Sequence, residues 1–230
     1  MVVGNGLMAK TFAIFQNSPS IIVFASGVSN SQETDESLFH KEQALFLKAA
    51  MKYPHCLFVY FSTCSIGDPQ QAETPYVLHK QTMERLIQDS VLSYLIFRLP
   101  QIIGRSDNPH TLGNYLYNQI VHGVHFKIWK HAKRYLIDAE DVARIGGLII
   151  TDKLFVNATI NIALRQYSIL EIVNAMELIV GRKGIYSMVD SGAAYQIDTL
   201  LIQPVIQQLR INSSTDYLNS LISKYYAPPL

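Results

Sequence analysis

The chain has 230 residues, a net charge of +1 at neutral pH and 49% hydrophobic residues, enough for one good core and a length of one domain or one and a half. It carries no run of lysines and arginines, so it lacks the clustered charge of a nucleic-acid surface, and no apolar run long enough for a membrane span. Its two cysteines, Cys56 and Cys64, stand in an apolar stretch without metal-ligand spacing and read as reduced thiols.

Met1 to Val3 reads as a very short strand, and Gly4-Asn5-Gly6-Leu7-Met8-Ala9 as a GxGxxA turn leading into a helix that ends near Phe15. The opening has neither the charged nor the long apolar region of a signal peptide. A cytoplasmic location is expected, with the sequons at Asn157 and Asn212 idle. Ile21 to Ala25 is a buried-type strand ending in Ser26-Gly27, and Asp35 to Lys52 has apolar residues at helical spacing. Strand 57–61, helix 75–90, strand Leu92 to Phe97, helix Thr111 to His122 and a short strand Phe126 to Trp129 follow. After Tyr135-Leu136-Ile137-Asp138 a helix opens at Ala139-Glu140-Asp141 and runs to about Thr151. Ala158 to Ala163 reads as a strand, Ser168 to Gly181 as a helix with Ser168 and Glu171 in a capping box, and Thr215 to Tyr225 as a last helix. Strands alternating with helices, and apolar on both faces, imply an α/β fold whose parallel sheet is covered on both sides.

The most informative stretch for chemistry is Phe61-Ser62-Thr63-Cys64-Ser65-Ile66-Gly67 followed by Tyr76-Val77-Leu78-His79-Lys80. A tyrosine and a lysine at i and i+4 share a helix face, and the ammonium is expected to favour the phenolate, lowering the Tyr76 pKa from about 10 towards neutrality. Such a phenol is a usable base near pH 7. Thr63, at a strand end, offers a hydroxyl to the same substrate oxygen. The chemistry suggested is reversible oxidation of an alcohol. With thirteen tyrosines in the chain, the spacing alone equally describes an exposed helix face. His122, His125 and His131 lie close in sequence, but no acidic ligand is in register and no metal site is expected.

Taken in order, these pieces resemble the extended short-chain dehydrogenase/reductases, the NAD-dependent epimerases and dehydratases of nucleotide sugars. The resemblance rests on the glycine turn, Phe24-Ala25-Ser26-Gly27, the Ser62-Thr63 strand end, Tyr76 with Lys80, the Arg98 to Gly104 stretch, and Arg134-Tyr135-Leu136-Ile137-Asp138-Ala139-Glu140-Asp141-Val142. It implies a Rossmann-type parallel sheet with helices on both faces over 1–154, part of the substrate site in 105–140, and over 155–230 mainly a small C-terminal substrate lobe. It implies catalytic roles for Tyr76, Lys80 and Thr63. Cofactor contacts would come from Gly4, Asn5, Gly6, Leu7, Met8, Ala25, Ser26, Gly27, Lys80 and Pro100, and substrate contacts from Thr63, Gln101 and Arg134. For Arg134 the alternative is an ion pair with Asp138 or Asp141. The cofactor is NAD or NADP and the substrate a nucleotide sugar, as in bacterial surface-polysaccharide synthesis. Cys64 and Ser65 stand where dehydratases of the family carry an acidic pair, which favours a reductase or epimerase.

The sequence also departs from the family. Between Ala9 and Ile21 there is room for one helix and a turn, where the family inserts two further strands and a helix, so no acidic residue or arginine is placed to read the adenine ribose. If the 21–25 strand lies beside the first strand on the side of the later ones, a right-handed crossover moves the first helix to the face opposite its usual one. The family's helix asparagine, expected near Phe39, is absent. A non-catalytic or cofactor-poor binding protein on the same fold is therefore the second reading. A homodimer through helices 36–52 and 75–90, using Met51, Leu86 and Ile87, is a further expectation. Tyr186, Tyr195 and Tyr217 are candidates either to stack on a base or sugar or to cover a core edge.

Overall fold

The computed structural model describes residues 1–211 and 216–227; the Asn212 sequon and the start of the helix expected at Thr215 lie outside them. Five parallel strands form the main sheet in the order β1 (Val2–Val3), β2 (Ile21–Phe24), β3 (Leu57–Thr63), β4 (Tyr94–Leu99) and β8 (Ala158–Asn161). Alternate residues of each central strand face opposite sides. Val23, Val59, Leu95 and Phe97 pack into one apolar cluster, and Ile22, Phe24, Phe58, Tyr60 and Ile96 into another.

The second cluster is covered by α2 (Glu36–Lys52) and α3 (Pro75–Ser90) through Phe46, Ala50, Met83 and Ile87. Asp35 caps α2 by accepting from the Ser37 amide, and Thr74 caps α3 by accepting from the Val77 amide ahead of Pro75. The first cluster is covered by α5 (Ala139–Thr151) and α7 (Gln203–Gln208), together with Phe12 and Phe15 at the end of α1 (Leu7–Thr11). Helices thus cover both faces of a parallel sheet, the Rossmann-type arrangement expected.

The first crossover differs from expectation. β2 does lie beside β1 on the side of the later strands, yet α1 packs beside α5, across the sheet from α2 and α3. The β1–α1–β2 connection therefore has the opposite hand to the β2–α2–β3 and β3–α3–β4 connections, and since all but about 2% of such crossovers are right-handed, α1 supplies the exception. The cause is packing. α2 already fills the other face, while Phe12 finds Phe61 at a centroid distance of 5.0 Å and a notch at Gly146, where a Cβ would stand 2.9 Å from the Phe12 ring. α1 keeps its face, and the glycine turn keeps its place at the carboxyl end of β1.

A second layer holds β5 (Gln101–Ile103), β7 (Lys133–Asp138) and β9 (Arg165–Ser168) in one sheet, and β6 (Phe126–Trp129) with β10 (Tyr186–Val189) in another. Around them pack α4 (Leu112–His122), α6 (Ile169–Val180) and α8 (Tyr217–Tyr226), which share one apolar cluster. The expected capping box is present: Ser168 accepts from the Glu171 amide, and Glu171 accepts from the Ser168 amide. The chain crosses between layers at Pro100, which has no N–H to continue the β4 ladder. Past residue 154 the chain serves both layers, since β8 completes the main sheet and α7 returns to its core. Ile87 faces the sheet and is fully buried, which removes it from the residues expected at a dimer surface, while Met51 is exposed.

Candidate active site

The carboxyl ends of β1 to β4 bring together the glycine turn, the 25–27 segment, Thr63 and Pro100. Gly4 has φ +125°, and a Cβ there would fall 2.4 Å from the Ala25 carbonyl oxygen, so only glycine lets the turn approach the end of β2. At Gly6 a Cβ would meet nothing, leaving open space above the turn. Leu7 packs on Gly104 and fixes the start of α1 against the β5 side.

Thr63 ends β3, and its hydroxyl oxygen accepts from the Ser65 amide at 3.1 Å, capping a 3-10 turn at 64–67. That bond leaves the Thr63 O–H free to donate. Tyr76 lies in the first turn of α3 beside it. Burial pushes the Tyr76 phenol up to about 12, with the Glu42 charge adding and the Thr63 hydroxyl pulling the other way. This reverses the expected shift towards neutrality.

Burial is the main cause, and the ammonium expected to oppose it is engaged elsewhere. Lys80 Nζ donates to Glu42 Oε1 at 3.2 Å and to the Tyr60 hydroxyl at 2.8 Å, and it stands 5.9 Å from the centre of the Tyr76 ring. Tyr60 in turn donates to Glu42 Oε1 at 2.6 Å, and Glu42 Oε2 accepts from the Val28 amide at 2.7 Å and bonds His79 Nε2 at 2.9 Å. Phe39, near which the family's asparagine was expected, stacks on the His79 ring at 4.4 Å. Glu42 and Lys80 are almost wholly buried. Burial raises the Glu42 carboxyl, but the Lys80 charge and the bonds from His79, Tyr60 and Val28 outweigh it and hold it at about 2. Burial lowers Lys80 and the Glu42 charge opposes that. A Cβ on Gly27 would stand 2.9 Å from Lys80 Nζ, so glycine is what lets the ammonium reach the end of β2.

A second, partly buried pair lies alongside. Arg98 holds Glu84 through Nε at 2.8 Å and Nη2 at 2.6 Å, and Ser62 donates to the same carboxylate at 2.5 Å. This tie locks α3 to β3 and β4 and with them the positions of Tyr76 and Thr63.

Of the predicted substrate contacts, Gln101 is half-buried at the start of β5, in register with Leu136. Arg134 is half-buried on β7, and neither predicted ion pair forms: Asp138 is held by Lys224 and Asp141 by Arg144. The Tyr195 phenol is raised by burial, with Cys64 and Asp68 adding and Arg134 opposing, and its ring packs on Tyr135. Tyr217 instead belongs to the core, donating to Asp141 and accepting from the Asp138 amide, and Tyr186 packs on Phe126. Among the described residues no cluster of His, Cys, Asp and Glu has metal-binding geometry, and no helix is long and apolar enough to cross a membrane. Cys64 is buried, and burial pushes its thiol up to about 12.

Residues 7–163 match the model of the NAD dependent epimerase/dehydratase family. The chain belongs to that family. The NAD-binding Bordetella bronchiseptica enzyme WbmH superposes with TM-score 0.70 and 17% identity over 98% of this chain and 80% of that one. UDP-glucuronic acid 4-epimerase from Bacillus cereus, solved with UDP-glucuronic acid and NAD, gives 0.73 and 17% over 94% and 76%. UDP-glucose 4-epimerase from Thermus thermophilus, solved with NAD, gives 0.70 and 14% over 96% and 83%. No curated protein matches the chain. At these identities the likeness is one of fold, and the family's Rossmann-type sheet is what the superpositions share.

Proposed function

We propose that the protein is an NAD(P)-dependent oxidoreductase, a ketoreductase or an epimerase, acting on a nucleotide-activated sugar, with Tyr76 exchanging a proton with the substrate oxygen. The observation that carries this reading is the convergence of Thr63, Tyr76 and Lys80 at the carboxyl edge of the sheet, next to the glycine turn. A dinucleotide would supply hydride transfer there.

The residues present fit such a group at its diphosphate and nicotinamide end. Gly4 brings the turn against Ala25, the space above Gly6 is open, and Gly27 leaves room for Lys80 Nζ. The Gly4-Asn5-Gly6-Leu7-Met8 turn, Ala25-Ser26-Gly27 and Pro100 would hold it. Lys80 has two of its three protons committed to Glu42 and Tyr60, which leaves one for a ribose hydroxyl. The adenosine end has no acidic residue on a following strand, because β1 is the edge of the sheet. Weaker binding than a complete dinucleotide site provides is the expected consequence. Arg134, a half-buried cation without a carboxylate partner among the described residues, suits a sugar-nucleotide diphosphate.

The second reading, a binding protein that keeps the fold without the redox step, is favoured by the same missing adenosine anchor. Two incubations separate the two: reduced nicotinamide with a panel of nucleotide-activated keto sugars, followed by nicotinamide absorbance, and oxidised nicotinamide with nucleotide-activated sugars, followed by chromatography of the sugars, because an epimerase returns its hydride and leaves the absorbance unchanged. Turnover lost in Tyr76→Phe supports the enzyme. A folded protein that turns over no member of the panel, in either direction, favours the binder.

A further inference from the structure

The strand that would carry an acid for the adenosine ribose is missing, but an acid stands in the loop that follows β2. That loop and one face of α2 border a cavity of about 330 Å³, lined among others by Ser26, Asn30, Glu33, Leu38, Lys41 and Leu45, within the range of about 300–1,000 Å³ typical of small-molecule sites. The cavity adjoins the glycine turn, since a Cβ on Gly4 would stand 3.0 Å from the Ser26 amide nitrogen. Leu38, Lys41 and Leu45, at i, i+3 and i+7, share a face of α2, two of them apolar and the third with an aliphatic stem. Glu33 is half-buried, and its Oε1 accepts from the Thr34 and Asp35 amides at 3.0 Å each. Those bonds fix the carboxylate, and Oε2 is uncommitted among the described residues.

We propose that this cavity takes the adenosine half of the dinucleotide, with adenine against Leu38 and Leu45 and the ribose hydroxyls donating to Glu33, and that it thereby selects NAD(H) over NADP(H). This rests on the oxidoreductase reading and deepens it by naming the cofactor. Ser26 and Gly27 line the cavity and stand between it and the turn proposed to hold the diphosphate, so the two halves of the site are contiguous. A carboxylate accepts from the ribose 2′-hydroxyl and repels the phosphate that replaces that hydroxyl's proton in NADP. Two charged groups of the cavity pull in opposite directions, because Lys41 would attract the same phosphate. Glu33 decides between them: its carboxylate is held by two backbone amides, whereas Lys41 stands on the exposed face of α2 and would have to order a long side chain to hold a phosphate.

The test uses the full chain and two kinds of probe. Isothermal titration with NADH and NADPH reads the selectivity, and AMP added to protein labelled at its leucine methyls reads the place, with the Leu38 and Leu45 signals assigned by their loss in Leu38→Ile and Leu45→Ile. The wild type is expected to bind NADH about tenfold or more tighter than NADPH, the worth of one hydrogen bond to a charged group, and AMP is expected to shift Leu38 and Leu45. In Glu33→Gln the preference for NADH is expected to disappear, a change of ratio that a general loosening of the fold would not make. Glu33 bonds only its two neighbours in the chain, so the substitution leaves the core in place. A wild type that prefers NADPH overturns the proposal, and so does a Glu33→Gln protein with the wild-type ratio of the two affinities. Binding of neither dinucleotide counts against the oxidoreductase reading, and AMP then judges the cavity by itself: leucine shifts that vanish in Glu33→Gln uphold it, and unmoved leucines overturn it.

Discussion

Replacing Lys80 by methionine removes the ammonium bonded to Glu42 while keeping most of the side-chain volume. At 3.2 Å and an effective dielectric of about 20, the attraction lost is about 5 kcal/mol. Breaking one partner of a buried pair typically costs about 3–5 kcal/mol, so the two estimates agree. Glu42 keeps the Tyr60, His79 and Val28 bonds, which keeps the cost towards the lower end. For a chain of this size about 3–5 kcal/mol corresponds to a fall in Tm of about 6–20 °C. Urea unfolding followed by circular dichroism measures it, provided the slope with denaturant is unchanged. The variant Glu42→Gln/Lys80→Met is expected to recover most of the loss. A Lys80→Met protein within about 1 kcal/mol of the wild type would show that the pair acts as a weakly coupled surface bridge and would refute the reasoning.

The same carboxylate makes stability depend on acid. Its folded value of about 2 lies below the unfolded 4.5, so the stability it contributes is complete above 4.5 and is lost as pH falls through about 2; unfolding midpoints measured across that window should decline in wild type and decline less in Glu42→Gln. Gly4→Ala places a Cβ 2.4 Å from the Ala25 carbonyl in a φ +125° conformation; a loss of at least about 1–3 kcal/mol is expected, and an unchanged denaturation midpoint would contradict the close approach of turn and strand. Ser168→Ala removes one half of the capping box and should cost about 1 kcal/mol, read as a lower midpoint that Ser168→Asp restores.

The sequence carried the main sheet and most helices because their signals are local. Apolar runs bounded by glycine mark β2 and β3, and Asp35, Thr74, Thr111 and Ser168 cap their helices by accepting backbone N–H groups. The strands that escaped are short and partnered at long range. β5 is three residues behind a proline, β9 is the polar stretch Arg165-Gln166-Tyr167-Ser168, and β10 pairs with β6 across some sixty residues of chain. The hand of the first crossover is a packing outcome, decided by Phe12, Phe61 and Gly146 meeting on one face, and no pattern within 4–20 encodes it.

At the site, Thr63, Tyr76 and Lys80 were legible from spacing, but the partners of Lys80 were not. A signal did exist. Phe39, Glu42, Phe46 and Ala50 share the buried stripe of α2, and a carboxylate on such a stripe needs a buried partner. Lys80 and Glu84 occupy the buried stripe of α3 in the same way. Reading charges on apolar stripes as pairs awaiting partners would have led to Glu42 with Lys80 and to Glu84 with Arg98.

In the proposed function the edge of the sheet formed by the glycine turn, Ala25-Ser26-Gly27 and the Thr63, Tyr76 and Lys80 trio binds a nicotinamide dinucleotide for redox chemistry. Isothermal titration of the folded protein with NAD, NADH, NADP and NADPH, with and without uridine diphosphate, tests it most directly. Saturable binding of one nicotinamide form, weakened in Lys80→Met, is the predicted result. No heat of binding with any of the four would contradict the account and leave the trio without a redox role.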